Sequence, residues 1–228
     1  MRNIFINKLI HASKKDPDII LLTSDLGYSA FEPYREQFPK QFYNIGVAEN
    51  NMVGVGSGLA LKGKKVFIYS IIPFLIFRCF EQIRNIICHN DLNVKLMGAG
   101  GGFSYGNQGV SHNATEDLSI LRSLPNLTIF TPGTKIEATL AFDIMMDQNG
   151  PGFIRLGKVP DKEFHSSEPK YTLGKGLIIK DGNDIAIICI GNIVEDVMDA
   201  ANELDQLGIN AKIITLLTIV LAMLVVRV

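Results

Sequence analysis

Cysteine is scarce in this chain. Cys79, Cys88 and Cys189 lie far apart, and no CxxC pair occurs. An odd number at that spacing excludes a disulfide framework and a zinc site, which leaves three reduced thiols in a cytosolic protein as the expectation. Excess charge is also lacking: 22 Lys and Arg stand against 23 Asp and Glu, a formal net charge of −1. That excludes a polybasic nucleic-acid surface and an acidic disordered tail. There is no internal repeat and no low-complexity tract. Met1 to Phe5 runs into an amphipathic pattern with no signal-peptide apolar block, so a cytoplasmic location is expected. The one long apolar run, Ile213 to Val226, has 14 residues, short of the roughly 20 needed to cross a membrane. Its β-branched content fits a buried strand running into an unusual C-terminus.

What is present is a chain of 228 residues, 47% hydrophobic, enough for a sizeable core. Short apolar runs alternate with helical patterns. Strands are expected at Ile19–Leu22, Val66–Tyr69, Val94–Met97, Leu127–Phe130 and Phe153–Arg155. Helices are expected at Ile4–Ala12, Asn50–Leu61, Phe74–Cys88, Asp117–Leu124 and Lys135–Asp147. Such alternation predicts an α/β fold, a parallel sheet with helices on both faces. After residues 1–158 the composition turns polar, and 159–172 reads as a linker. Residues 173–228 then start a second α/β unit, with a strand at Ile185–Ile190, a helix at Val194–Leu207 and a strand at Ala211–Leu217. That is too little for a full domain.

In parallel sheets, sites form at the carboxyl ends of the strands. Asp25, Glu49, Ser70 and the glycine loop leading to His112 fall there. Glu49 sits between Ile45-Gly46-Val47-Ala48 and a Gly-rich helix. At a helix start it can be a plain capping carboxylate, yet its neighbours leave little polar surface. A desolvated carboxyl is suited to exchanging a proton near neutrality. Phe74, Phe77 and Phe80 recur every third residue, which more often means core packing than a binding face. Gly54, Gly56 and Gly58 lack the strand–loop–helix context of a dinucleotide fingerprint and fit close packing at a subunit interface better.

Four segments, taken in order, carry a resemblance. Ile45-Gly46-Val47-Ala48-Glu49-Asn50-Asn51-Met52 resembles the catalytic-glutamate segment of the transketolase family. Pro73 to Arg84 resembles its aromatic pyrimidine-binding helix. Gly101-Gly102-Phe103-Ser104-Tyr105-Gly106 with His112, and Phe153-Ile154-Arg155-Leu156-Gly157, look like two further signatures. The resemblance spans about residues 1–217. It implies a pyrimidine-binding domain over 1–158 and the start of the family's C-terminal domain over 173–228. It also implies thiamine diphosphate and Mg²⁺ as cofactors. Glu49 would hydrogen-bond the aminopyrimidine, whose imino tautomer removes the thiazolium C2 proton.

On the same resemblance Asp25, Phe74, Phe77 and Phe80 would bind the cofactor, with Phe77 stacking on its ring. Ser29, Gln108, His112 and Arg155 would meet a sugar phosphate. From the residues alone Asp25 fits a turn equally well, and Arg155 a salt bridge at the sheet edge. Gln108 stands where many transketolases have Asp, Val110 where they have Pro, and Gly100 where a family histidine occurs, which leaves substrate choice open. No Gly-Asp-Gly metal and diphosphate motif occurs. The resemblance therefore implies a partner: an N-terminal transketolase-like subunit carrying the metal ligands, in an α2β2-type assembly. The expected activity is transfer of a two-carbon ketol unit between sugar phosphates. Alternatives are a 1-deoxyxylulose-5-phosphate synthase-like or 2-oxo acid dehydrogenase E1 β-like chain, or a non-catalytic interaction module.

Overall fold

The computed structural model describes residues 1–157 and 162–219. Part of the expected linker, and residues 220–228 with the end of the apolar C-terminal run, lie outside the described residues.

The chain begins with α1 (Arg2–Ser13), β1 (Ile19–Thr23), α2 (Glu32–Gln37), β2 (Phe42–Asn44), α3 (Glu49–Leu61) and β3 (Lys65–Ile71). An irregular helical segment containing α4 (Phe80–Gln82) leads to β4 (Val94–Ala99). Then come α5 (Asp117–Leu121), β5 (Thr128–Phe130), α6 (Lys135–Asp147) and β6 (Gly152–Leu156). The last elements are β7 (Leu177–Lys180), β8 (Ile185–Cys189), α7 (Val194–Gln206), β9 (Ala211–Thr215) and β10 (Thr218–Ile219).

Seven strands form one sheet in the order β10-β5-β6-β4-β3-β1-β2. All its pairings are parallel except β10 with β5. The alternation along each strand shows why both faces are covered. Ile19, Leu21, Phe67 and Tyr69 join one core with Phe5 and Leu9 of α1 and Phe142 of α6. Ile20, Leu22, Val66 and Ile68 join the other, with Met52 and Val53 of α3 and Ile76 and Ile83. Successive side chains point to opposite faces, so a run apolar at every position needs a helical layer on each side. The expected α/β architecture is therefore present, with an antiparallel edge added. Among the described residues no helix is long and apolar enough to cross a membrane.

Three local expectations are corrected. The segment 74–88 is not one α-helix. π-helical turns at Pro73–Phe77 and Ile83–Cys88 flank α4. Pro73 removes an amide hydrogen, Arg78 N–H reaches back to the Pro73 carbonyl, and Cys79 breaks the helical backbone at ψ 15°. Widened turns of this kind are frequent at functional sites. They also undo the slow drift expected of phenylalanines three apart.

The second correction concerns the short strands β2 and β10, which the apolar pattern does not mark. The third concerns the C-terminal region. β7, β9 and β8 form a separate three-stranded sheet, but Thr218–Ile219 leave it and pair with Phe130 and Ile129 of the large sheet. There Thr131 donates to the Leu216 and Leu217 carbonyls, at 2.7 and 2.8 Å, and accepts from Gly191 N. Thr218 Oγ1 meets the Tyr171 hydroxyl and accepts from Gly174 N. Polar linker residues are used as well: Glu137 of α6, fully buried, accepts from Gly133 N and Thr215 Oγ1 and pairs with His165.

The cysteines are buried and unbridged. Burial pushes the Cys79 and Cys88 thiols up to about 12 and Cys189 up to about 11, from 9.0. Above pH 9.0 the unfolded chain releases thiol protons that the folded chain keeps, so stability falls as pH rises toward 11–12. Lys95, buried and held by the Gln148 and Gly150 carbonyls, is lowered from 10.5 to about 8 and acts in the opposite sense between those values. Urea denaturation from about pH 9.0 to about 11 should show declining stability, the three thiols outweighing Lys95. The decline should steepen in Lys95→Met and become shallower when the three cysteines become alanine, the buried Tyr34 phenol, raised from 10.0 to about 12, keeping a share of it.

Candidate active site

The carboxyl ends of β1, β2, β3 and β4 carry the residues singled out above. Glu49 opens α3 and is 2% exposed. Its Oε1 accepts from Ser24 Oγ at 3.2 Å, and Ser24 Oγ lies 3.4 Å from Ser70 Oγ. Its Oε2 accepts from Arg78 Nη1 in an ion pair. The expected desolvation is there, but the carboxylate is compensated by a guanidinium. That partner was missed in the sequence. The available signal was a single cation inside the otherwise apolar stretch Pro73–Phe80.

Arg78 also lies over the Phe74 ring, 5.0 Å from its centroid. Phe74 in turn meets His112 edge-on, with ring centroids 5.0 Å apart. Glu49, Arg78, Phe74 and His112 thus form one continuous cluster. Phe77 is 38% exposed and makes no aromatic pair among the described residues, while Phe80 packs on the core beneath. Phe74 is thus joined to the carboxylate through Arg78, while the ring of Phe77 is left partly open to solvent. Cys79 sits nearby, its Sγ 3.6 Å from Asn50 Oδ1, and its raised thiol value makes it no nucleophile.

His112 ends a loop closed by reciprocal backbone bonds between Gly102 and Ala114 at 2.7 and 2.9 Å. Ser111 Oγ lies 3.0 Å from its Nδ1, which leaves Nε2 open. Tyr105, 6.1 Å from His112 between centroids, fills the space beside Gly100. A Cβ at Gly100 would stand 2.0 Å from that ring, and its φ of +83° also requires glycine. Gln108 and Ser29 are exposed. Gln108 ends a 3-10 turn, and the Ser29 amide donates to Glu32 Oε1 at 3.0 Å.

Asp25 has a left-handed backbone, φ 57°, and accepts from the Tyr28 hydroxyl and Asn44 Nδ2. It lines a cleft of about 310 Å³ with Tyr28, Phe31 and Asn44. Gly56 packs on its own sheet, where a Cβ would lie 2.7 Å from Ile68 Cδ1, so that glycine serves the core rather than an interface. Gly54 and Gly58 face open space.

Arg155 does not point to an open site. Its Nε and Nη2 bind both oxygens of fully buried Asp117 at 2.9 and 3.0 Å, and Nη2 also reaches the Ala114 carbonyl at 3.0 Å. Burial pushes the Asp117 carboxyl up, and Arg155 opposes that. The guanidinium lies over Gly101, where a Cβ would come within 2.2 Å of Nε. Arg155 is a clamp on the His112 loop. The residue matched to a phosphate ligand is spent on a bidentate carboxylate pair.

Comparison with known proteins bears on the fold and the family. The transketolase pyrimidine-binding domain family matches residues 1–159, and the transketolase C-terminal domain family matches residues 174–222. The putative transketolase C-terminal section of Methanocaldococcus jannaschii is 34% identical over 96% of this chain and 70% of its own length. An apulose-4-phosphate transketolase subunit from Actinobacillus succinogenes is 32% identical over 94% of this chain and 69% of its own length. A solved split-gene transketolase, described as an inactive β4 tetramer, superposes with a TM-score of 0.84 at 32% identity, covering 95% of this chain and 71% of that one.

Proposed function

The chain belongs to the transketolase family, and on that premise we propose that it is the pyrimidine-binding subunit of a split, thiamine diphosphate-dependent transketolase. The observation that carries this reading is Glu49: a carboxylate 2% exposed, at the start of a helix, linked through Arg78 to the Phe74 ring at the carboxyl edge of a parallel sheet. A buried carboxylate next to an aromatic face fits a flat, nitrogen-bearing ring such as the aminopyrimidine. Among the described residues no group of three or more His, Cys, Asp or Glu could hold a metal. The residues at Glu49 and Phe74 fit the pyrimidine half of the cofactor, and we assign Mg²⁺ and the diphosphate to a partner chain in an α2β2-type assembly, since the sequence carries no Gly-Asp-Gly. The solved relative made of β chains alone is described as inactive, which supports that division.

Bound thiamine diphosphate supplies the carbon nucleophile that carries a two-carbon unit from a donor sugar phosphate to an acceptor. Glu49 holds a proton at Oε2 for a pyrimidine ring nitrogen, while Ser24 fixes Oε1. Phe74 offers its face to the ring, with Phe77 and Phe80 completing that wall and Asp25 approaching from the β1 end. His112 Nε2 hydrogen-bonds the sugar, and Gln108 and Ser29 lie on the exposed side where its hydroxyls pass.

The test is co-expression with a partner carrying Gly-Asp-Gly, followed by calorimetric titration with thiamine diphosphate and Mg²⁺. Binding by the complex, absent for either chain alone, and turnover of sugar phosphates are expected. A stable complex that binds no cofactor would overturn the reading.

A further inference from the structure

Arg78 does two things at once. Its guanidinium donates to Oε2 of the buried carboxylate, and it lies 5.0 Å over the centroid of the Phe74 ring. These are the two contacts that a flat, nitrogen-bearing ring would make in the same place: a hydrogen bond to Glu49 and a seat on Phe74. The other carboxylate oxygen is held by Ser24, and Cys79 alongside is a neutral thiol. The pair is lopsided in burial, since the side chain of Glu49 is 2% exposed and that of Arg78 is 46% exposed. A planar cation with much of its side chain in solvent can swing away at small cost, whereas the carboxylate cannot leave.

We propose that Arg78 is a placeholder for the aminopyrimidine: a positioning residue that compensates and orients Glu49 in the cofactor-free subunit and vacates Oε2 and the Phe74 face when the cofactor seats. The inference rests on the assignment of Glu49 and Phe74 given above. A buried carboxylate without a counter-charge costs several kcal/mol, so an uncompensated Glu49 would disorder the start of α3 before assembly. The guanidinium removes that cost. In exchange, cofactor affinity is reduced by the fraction of molecules in which Arg78 occupies the seat, as for any ligand that needs a minor conformer.

The measurement is the dissociation constant of thiamine diphosphate, with Mg²⁺, for the assembled complex carrying Arg78→Ala, with Arg78→Gln as a second variant in case the first assembles poorly. Both should bind the cofactor about tenfold more tightly, the change expected where the seat is roughly nine-tenths occupied by its own side chain. Guanidinium chloride, far below denaturing concentrations, should weaken binding in Arg78→Ala toward the wild-type value and leave the wild type unchanged, which a purely structural arginine would not produce. Weaker binding in both variants would make Arg78 a direct ligand, and unchanged binding would remove the competition. Either result overturns the inference. Failure of the wild-type complex to bind cofactor would instead overturn the parent reading.

Discussion

Glu49→Gln is expected to lower turnover of the assembled enzyme by roughly 10²–10⁴-fold, the usual contribution of one positioned proton-transfer group, with the thermal midpoint nearly unchanged. Glutamine has the shape of glutamate and keeps an oxygen for Ser24 Oγ. It loses the charge that pairs with Arg78, but that guanidinium is 46% exposed and turns to water. No buried charge is orphaned, so the large penalty for breaking a buried pair does not arise. What is lost is the ability to hold a proton at Oε2. Steady-state kinetics and a melting curve on the same preparation separate the two effects. Full turnover in Glu49→Gln would remove Glu49 from the mechanism, and with it the functional assignment.

Arg155→Met should produce the opposite pattern, a loss of stability of about 3–5 kcal/mol, as expected when one partner of a buried pair is removed. Asp117 is fully buried and takes both its strong hydrogen bonds from Arg155. Without them a carboxylate remains in an apolar surrounding, and the Ala114 carbonyl that closes the His112 loop also loses a donor. The effect has a defined pH dependence. Burial already raises Asp117 above its ordinary 3.8 against the opposing influence of Arg155. Its contribution to stability is therefore fully present at low pH and is lost as pH rises from 3.8 through the raised value. Removing Arg155 widens that window, so the deficit shrinks on acidification. Replacing Asp117 by Asn in the same chain should restore part of the stability. Urea midpoints at neutral and mildly acidic pH test both statements. A variant of near-normal stability with a raised KM for the sugar phosphate would show instead that Arg155 binds substrate.

The layered architecture was readable because β1 and β3 are apolar at consecutive positions, a pattern that only a sheet covered on both faces permits. Glu49 was readable for a related reason: one acidic residue between apolar and glycine-rich segments has nowhere polar to go. The Phe74, Phe77 and Phe80 repeat did not reveal its own backbone, because a spacing of three reads as an α-helical period and gives no sign of the π-turns. The salt bridge considered for Arg155 could not be given a partner, because Asp117 is 38 residues away in the chain and no local pattern reveals a pairing across elements. Arg78 went unread although a lone cation in an apolar stretch is a legible signal of a compensated buried acid. The pairing of β10 with β5 rests on two residues and depends wholly on tertiary contact.

That last pairing makes the three-stranded sheet an excursion. The chain departs the large sheet after β6 and rejoins it at β10, and near the small sheet the hydroxyls of Tyr171 and Thr218 are hydrogen-bonded. Entry and exit are thus neighbours, as in a cassette spliced into a host loop. A unit tethered at two adjacent points has little freedom to pivot, and its loop-closure entropy is already spent when the host sheet forms. Such an arrangement allows the excursion to vary in length or content among relatives without disturbing the edge that holds Glu49, provided the Tyr171–Thr218 junction is kept.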